Sequence, residues 1–240
     1  QWSPDGRSIA LSSEVGEDAG ELGPAAAWIP ELGGPTEQLV FSPGAGAWDF
    51  PTSWTPDGRS IVVTMRREGA SADIALFDLE GDRELVPLVG TPANEFGGRV
   101  SPDGRWLAYV SDQSGRREVW VRPFTGRGSP VQISGNGGTE PVWARDSEEL
   151  FFRSASEMMV VQVPQDPASD FGVPTALFPD SFQRNLFGGN SANFDVSGDG
   201  ERFLVVRRRD RVQPTVIDVI LNWVSVLGPP DPTADGQVRR

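Results

Sequence analysis

The chain has 240 residues, 38% of them hydrophobic, with 28 Gly, 21 Pro and a formal charge of −13. That charge disfavours nucleic acid and anionic membrane surfaces as partners, because both need a basic footprint on the protein. Neither Cys nor His occurs, which excludes disulfides, thiolate and imidazole metal ligands, and every nucleophile that relies on a Cys or a His.

From the N-terminus, one pattern returns along the whole chain: "WSPDGRSIALS" at 2–12, "WTPDGRSIVVT" at 54–64, "VSPDGRWLAYVS" at 100–111, "WARDSEELFFRS" at 143–154 and "VSGDGERFLVVR" at 196–207. In "SPDG" the Pro presets the second turn position, the Asp can bond its own backbone, and the Gly accepts a left-handed conformation. Gly58 and Gly104 are therefore expected at positive φ. The fourth copy replaces the motif with Ala144, Arg145, Asp146 and Ser147, which leaves its turn geometry open.

The strand after each turn does not separate polar from apolar residues cleanly, as expected of a strand covered on both faces. Trp2, Trp54 and Trp143 stand at one repeat position, directly before the turn, and are expected to pack between neighbouring units. After each turn strand comes a second strand-like run (25–32, 73–80, 118–124, 158–164) and then a third (36–41, 84–89, 129–134, 174–178). With the segment before each turn, that makes four strands per repeat.

The turn aspartates Asp5, Asp57, Asp103, Asp146 and Asp199 are spaced by 52, 46, 43 and 53 residues, near the period of propeller blades. The expected fold is all-β: a β-propeller of four-stranded antiparallel blades, with about five repeats seen, as part of a six- to eight-bladed ring. The propeller is placed at 1–227, with its turns at 3–6, 55–58, 101–104, 144–147 and 197–200. The Pro- and Gly-rich 228–240 is expected to be a disordered tail.

No apolar run reaches the roughly 18 residues of a membrane span, and "TVIDVILNWVSVL" at 215–227 is interrupted by Asp218 and Asn222. The chain opens on Gln1 inside a repeat and reads as a piece of a longer polypeptide, with any targeting segment upstream. The last repeat is expected to use "TVIDVILNW" (215–223) as a third strand, leaving the ring unsealed.

These repeats resemble the WD-like propeller repeats of the TolB family, whose signature is an apolar or aromatic residue, SPDG and two successive strands; the resemblance covers residues 1–223. The stretch from "SDQSGRREVWVRPF" (111–124) through "MMVVQV" (158–163), with "FDVSGDGERFLVVRR" (194–208), is most similar to propellers that follow the kinase domain of bacterial serine/threonine kinases. The resemblance implies a non-catalytic module that binds a protein or peptide, extracytoplasmic if its parent kinase spans the membrane. The chain carries no Lys for ATP phosphates, no HRD, no DFG and no GxSxG, so kinase or hydrolase chemistry would lie outside these residues.

The candidate site is the channel mouth, where the segment before each inner strand arrives. Asp49, Glu95, Glu140 and Asn193 are expected to form an arc there, the three carboxylates read as echoes of one repeat position, with Trp48, Phe50 and Phe96 as aromatic contacts. Such an arc suits a cationic peptide segment. No catalytic residue, metal or cofactor is expected. The alternatives are a propeller glycosidase or lactonase that uses the mouth carboxylates, and the propeller of a peptidase whose catalytic domain lies elsewhere.

Overall fold

The computed structural model describes residues 1–13, 25–29, 37–38, 48–66, 69–81, 83–125, 128–166, 169–184 and 191–207. Residues 215–227 and 228–240, with the expectations attached to them, lie outside the described residues. Among the described residues every regular element is a strand. The first sheet holds β1 (Ile9–Ser13), β2 (Ala25–Ile29) and β3 (Glu37–Gln38).

Three complete four-stranded sheets follow in chain order. They are β4 (Trp48–Trp54), β5 (Ser60–Arg66), β6 (Ala72–Asp78) and β7 (Leu85–Val89); β8 (Glu95–Val100), β9 (Trp106–Ser111), β10 (Glu118–Pro123) and β11 (Val131–Gln132); and β12 (Thr139–Trp143), β13 (Glu149–Arg153), β14 (Glu157–Gln162) and β15 (Thr175–Pro179). The pair β16 (Phe194–Val196) and β17 (Phe203–Val205) opens a fifth unit. Strands pair with their sequence neighbours, all antiparallel. Each sheet is therefore an up-and-down meander, the blade of a propeller.

The repeated turn is held by a clasp that its hydroxyl residue organises. In the second blade the Thr55 hydroxyl donates to Asp57 at 2.6 Å and accepts the Ser60 N–H at 3.0 Å, while Asp57 also accepts the Arg59 N–H at 3.1 Å. The same three bonds recur around Ser3 and Asp5, and around Ser101 and Asp103. These bonds, the hydroxyl first and the following amide second, hold the Asp5 and Asp57 carboxyls below the usual range.

Gly58 and Gly104 take φ of 72° and 74°, as the motif requires. The fourth turn keeps this geometry without the motif: Ser147 adopts φ 66°. Ser147 is buried, and its hydroxyl accepts the Asp103 N–H of the preceding turn at 3.1 Å. That contact across blades helps hold a conformation costing roughly 1–2 kcal/mol for a residue with a Cβ.

Each core lies between two blades. Ala10 meets Trp54, Ile61, Val63 and Phe77 between the first and second. The opposite face of the second blade, with Val62, Ile74 and Val89, packs on Val100, Leu107 and Tyr109 of the third. Trp106, Val119 and Val121 meet Trp143, Leu150 and Phe152, and Phe151 and Met158 meet Phe194. Strand β9 is buried at all six positions, which explains why polar and apolar residues do not alternate along it.

Trp54 and Trp143 pack as expected, each donating its indole N–H to a carbonyl of the preceding blade, that of Gln1 at 3.1 Å and of Arg99 at 2.9 Å. Trp2 does not: it is 57% exposed, because no described strand flanks the first blade on that side.

Alanine at Gly58 or Gly104 meets only ordinary contacts, with Pro4 at 3.9 Å and Pro56 at 3.7 Å. The cost is then conformational. Gly58→Ala and Gly104→Ala should each lower stability by about 1 kcal/mol, measured by urea unfolding. A neutral result at both would mean that the left-handed turn is not required.

Candidate functional site

A backbone irregularity shared by the inner strands positions the candidate site. In β4 the register slips at Thr52, in β8 across Gly97 and Gly98, and in β12 across Glu140 and Pro141. Counted back from the turn aspartates, these slips fall at matching places. They are β-bulges, which bend a strand and re-aim the side chain that follows. Gly97 has φ 62° and its counterpart Glu140 φ 56°. A Cβ on Gly98 would stand 2.9 Å from Ile74 and 3.0 Å from Val62, so the backbone approach needs glycine there. The Thr52 hydroxyl ties successive bulges together by donating to the Gly98 carbonyl at 2.7 Å.

The re-aimed residues stand four before each turn aspartate: Gln1, Ser53, Arg99, Val142 and Asp195. Ser53 accepts the Val100 N–H at 3.2 Å across the blade boundary. Arg99 interacts electrostatically with the Gln1 α-amino group on one side and with Asp195 and Glu140 on the other. One side chain can reach the first and fifth blades together only by projecting toward the axis they share, so Arg99 points there; its counterpart Val142 instead packs in the core between the fourth and fifth blades. Burial pushes the Arg99 pKa down, with Asp195 and then Glu140 opposing; burial, and then Arg99, lower that of the Gln1 amine.

Arg99 makes no ion pair within 4.0 Å among the described residues. Arg99, half-buried as a residue, thus points toward the axis, with the exposed Asp195 two blades away.

The acidic arc is arranged differently from the sequence expectation. Asp49 and Glu95 stand eight residues before their turn aspartates, whereas Glu140 and Asn193 stand six before theirs; they are two repeat positions, not one. Asp49 and Glu95 are fully buried and Glu140 is 3% exposed. Glu95 accepts from the Thr91 hydroxyl at 2.6 Å and the Ser111 hydroxyl at 3.2 Å. Glu140 accepts the Asn193 N–H at 2.7 Å and lies 3.6 Å from the fully buried Arg153.

Among the aromatic candidates, Phe96 is buried beneath Arg117, whose guanidinium carbon is 5.1 Å from the ring centre. Phe50 is half-buried, and the Trp48 side chain lies outside the described residues. The structure therefore joins Glu140 and Asn193 directly, and buries Asp49 and Glu95 completely. Arg99, Asp195 and Ser53 lie at the channel and escaped the sequence reading, although counting back from the turns would have aligned them.

Similar buried carboxylates recur elsewhere. Glu118, fully buried, accepts the Gly137 N–H at 2.9 Å, the Ser134 hydroxyl and the Arg116 Nε–H at 2.6 Å. These carboxylates anchor the loops at the mouth.

No family model matches the chain. Among curated proteins it is similar to an uncharacterized protein of Agrobacterium fabrum, 29% identical over 217 residues, which are 85% of this chain and 68% of that protein. It is also similar to the Tol-Pal system protein TolB of Anaeromyxobacter dehalogenans, 36% identical over 77 residues, 32% of this chain and 17% of that protein. Among solved structures it matches one assigned to a TolB of Agrobacterium tumefaciens, with a TM-score of 0.62 at 25% identity over 85% of this chain and 73% of that one. TolB from Acinetobacter baumannii gives 0.63 at 22% identity over 87% and 48%. The fold is a TolB-like β-propeller, and the chain spans less than a fifth of the curated TolB and about half of the Acinetobacter TolB structure.

Two outcomes test this geometry. Glu140→Ala should cost about 3 kcal/mol in urea unfolding, because it removes a carboxylate from the buried Arg153 guanidinium, which among the described residues keeps one other carboxylate, Asp180 at 3.7 Å, and the Gln183 carbonyl at 3.0 Å; a loss below about 1 kcal/mol would contradict the pairing. Burial raises the Glu95 pKa, against the opposing bonds from Thr91 and Ser111. The folded protein therefore holds that proton at pH values where the unfolded chain has released it, and stability falls as pH climbs from the ordinary glutamate range through the raised value. Glu95→Gln should flatten this part of the stability profile; an unchanged slope would mean that Glu95 does not titrate abnormally.

Proposed function

We propose that this chain is a non-catalytic propeller module that binds a segment of another protein at its channel. The observation that carries this reading is the contrast between the repeated turn and the position four residues before it. Where the scaffold is built, the chain repeats Pro, Asp and Gly; four residues before the turn aspartates of every blade but the fourth, it presents Gln1, Ser53, Arg99 and Asp195 outside the core clusters, all different. A ring of dissimilar side chains on a repeated frame suits recognition of an asymmetric partner. The TolB-like relatives support a binding role, and the burial of Asp49, Glu95 and Glu140 supports binding over a reaction that needs two accessible carboxylates.

The partner segment is basic overall, drawn by the charge of −13, and carries one acidic residue to meet Arg99 while a basic residue meets Asp195. The parent is a larger bacterial polypeptide such as a serine/threonine kinase, with the propeller at its C-terminal side and outside the cytoplasm if that kinase spans the membrane. The similarity of 111–124 and 194–208 to kinase-linked propellers supports this placement, and reading the gene upstream of the Gln1 codon tests it.

For the site, an all-arginine heptapeptide and the same peptide with a central glutamate are titrated into the chain at fixed salt. The mixed peptide should bind about threefold more tightly, and Arg99→Gln should abolish the preference. Equal affinities of the two peptides for the unaltered chain would overturn the assignment of Arg99.

A further inference from the structure

At the turn end of the blades, opposite the channel mouth, a cleft of about 800 Å³ opens between the third and fourth blades. Its floor is apolar and its sides are mixed. Trp106 and Phe171 meet edge to face with ring centres 5.0 Å apart, Ile133, Pro123 and Pro174 lie beside them, and Thr125, Ser129 and Ser169 add hydroxyls. Asp170 is the one charged side chain among the described lining residues, and it is exposed. Val173, at the rim, is 84% exposed.

Two hydrogen-bonding features of this cleft are incomplete. Trp106 is 4% exposed, yet its Nε1–H has no acceptor, unlike the indoles of Trp54 and Trp143, which both donate to the neighbouring blade. The second feature is the edge of the third blade. Strand β11 is the outermost of its sheet, and both of its residues are exposed. The Ile133 N–H donates inward to the Val119 carbonyl at 2.8 Å, while Gln132 stands opposite Trp120. Antiparallel pairs alternate between bonded and non-bonded, so the Gln132 N–H and C=O point away from β10, toward the open edge. An unpaired edge beside an apolar cleft has the two parts of strand addition: main-chain bonds for affinity, and a pocket for alternate side chains.

We propose that β11 and this cleft together bind an extended peptide segment of another chain as a fifth strand of the third blade. One apolar side chain of that segment enters the cleft over Trp106, and a neighbouring cationic side chain meets Asp170. The exposed Asp170, with no basic residue among the described lining residues, sets the sign of the partner. The site is separate from the channel and does not depend on the reading given for it.

The test uses an acetylated, amidated hexapeptide that alternates leucine with threonine and ends in arginine. It is titrated into the nitrogen-15-labelled chain and followed by NMR, with the Trp106 indole resonance identified through Trp106→Phe. The Trp106 indole and the Gln132 amide should shift together and saturate. Gln132→Pro removes an N–H that faces outward, which an edge strand tolerates, and should weaken binding about fivefold. Asp170→Asn should weaken it and reduce its salt dependence. The same peptide N-methylated at alternate residues should bind the unaltered chain much more weakly, a readout that does not depend on any variant folding. Undiminished binding of the N-methylated peptide, equal competition by acetyl-leucine amide alone, or shifts confined to Ser53 and Arg99 would each overturn the proposal.

Discussion

A single blade of this protein has nowhere to hide either of its faces. In β5 the side chains of Ile61 and Val63 point to one side and that of Val62 to the other, and all three are fully buried. One set packs on the first blade and the other on the third. The hydrophobic gain, roughly 1.5–3 kcal/mol for each large apolar side chain, is therefore realised only at the seams between sheets. Everything else follows from getting neighbours to the right distance and angle: turns that nest, bulges that interlock, indoles that reach back one blade for a carbonyl.

The nesting explains why a short turn is worth repeating. Pro4 lies under Gly58, Pro56 lies under Gly104, and Ser147 receives the Asp103 amide. Each turn is thus a surface for the next as well as a reversal of its own chain. The fourth turn shows which part is indispensable. It lacks the Pro, the Gly and the hydroxyl hub, and still keeps the left-handed residue and the Asp146 bond to the Glu148 amide at 2.9 Å. Backbone shape persists after much of the sequence that encodes it elsewhere has changed.

What could be read in the sequence follows the same line. Turns and doubly covered strands were legible because Pro, Asp and Gly act locally and because burial on two faces erases alternation, as in Trp106 to Ser111. The roles of Ser3, Thr55 and Ser101 were legible in principle, since a hydroxyl stands at the same place each time, but their bonds span five residues and have no separate motif. The bulges were not legible: Thr52, Gly97 and Pro141 share no side-chain chemistry, and the slip is a property of pairing. Glu140 looked like the partner of Glu95, but it stands at the bulge and lies 3.6 Å from Arg153.

The bulge also separates two kinds of inheritance within one strand. Trp54, Val100 and Val196 hold the stack together, and the residues immediately before them, Ser53, Arg99 and Asp195, stand outside those clusters; in the fourth blade both Val142 and Trp143 pack in seams. A substitution at Ser53, Arg99 or Asp195 rewrites a letter of the recognition surface while leaving the seam beside it intact. Lineages of such a chain can therefore drift in what they bind without first relearning how to fold, and each of those three blades contributes one independently editable letter.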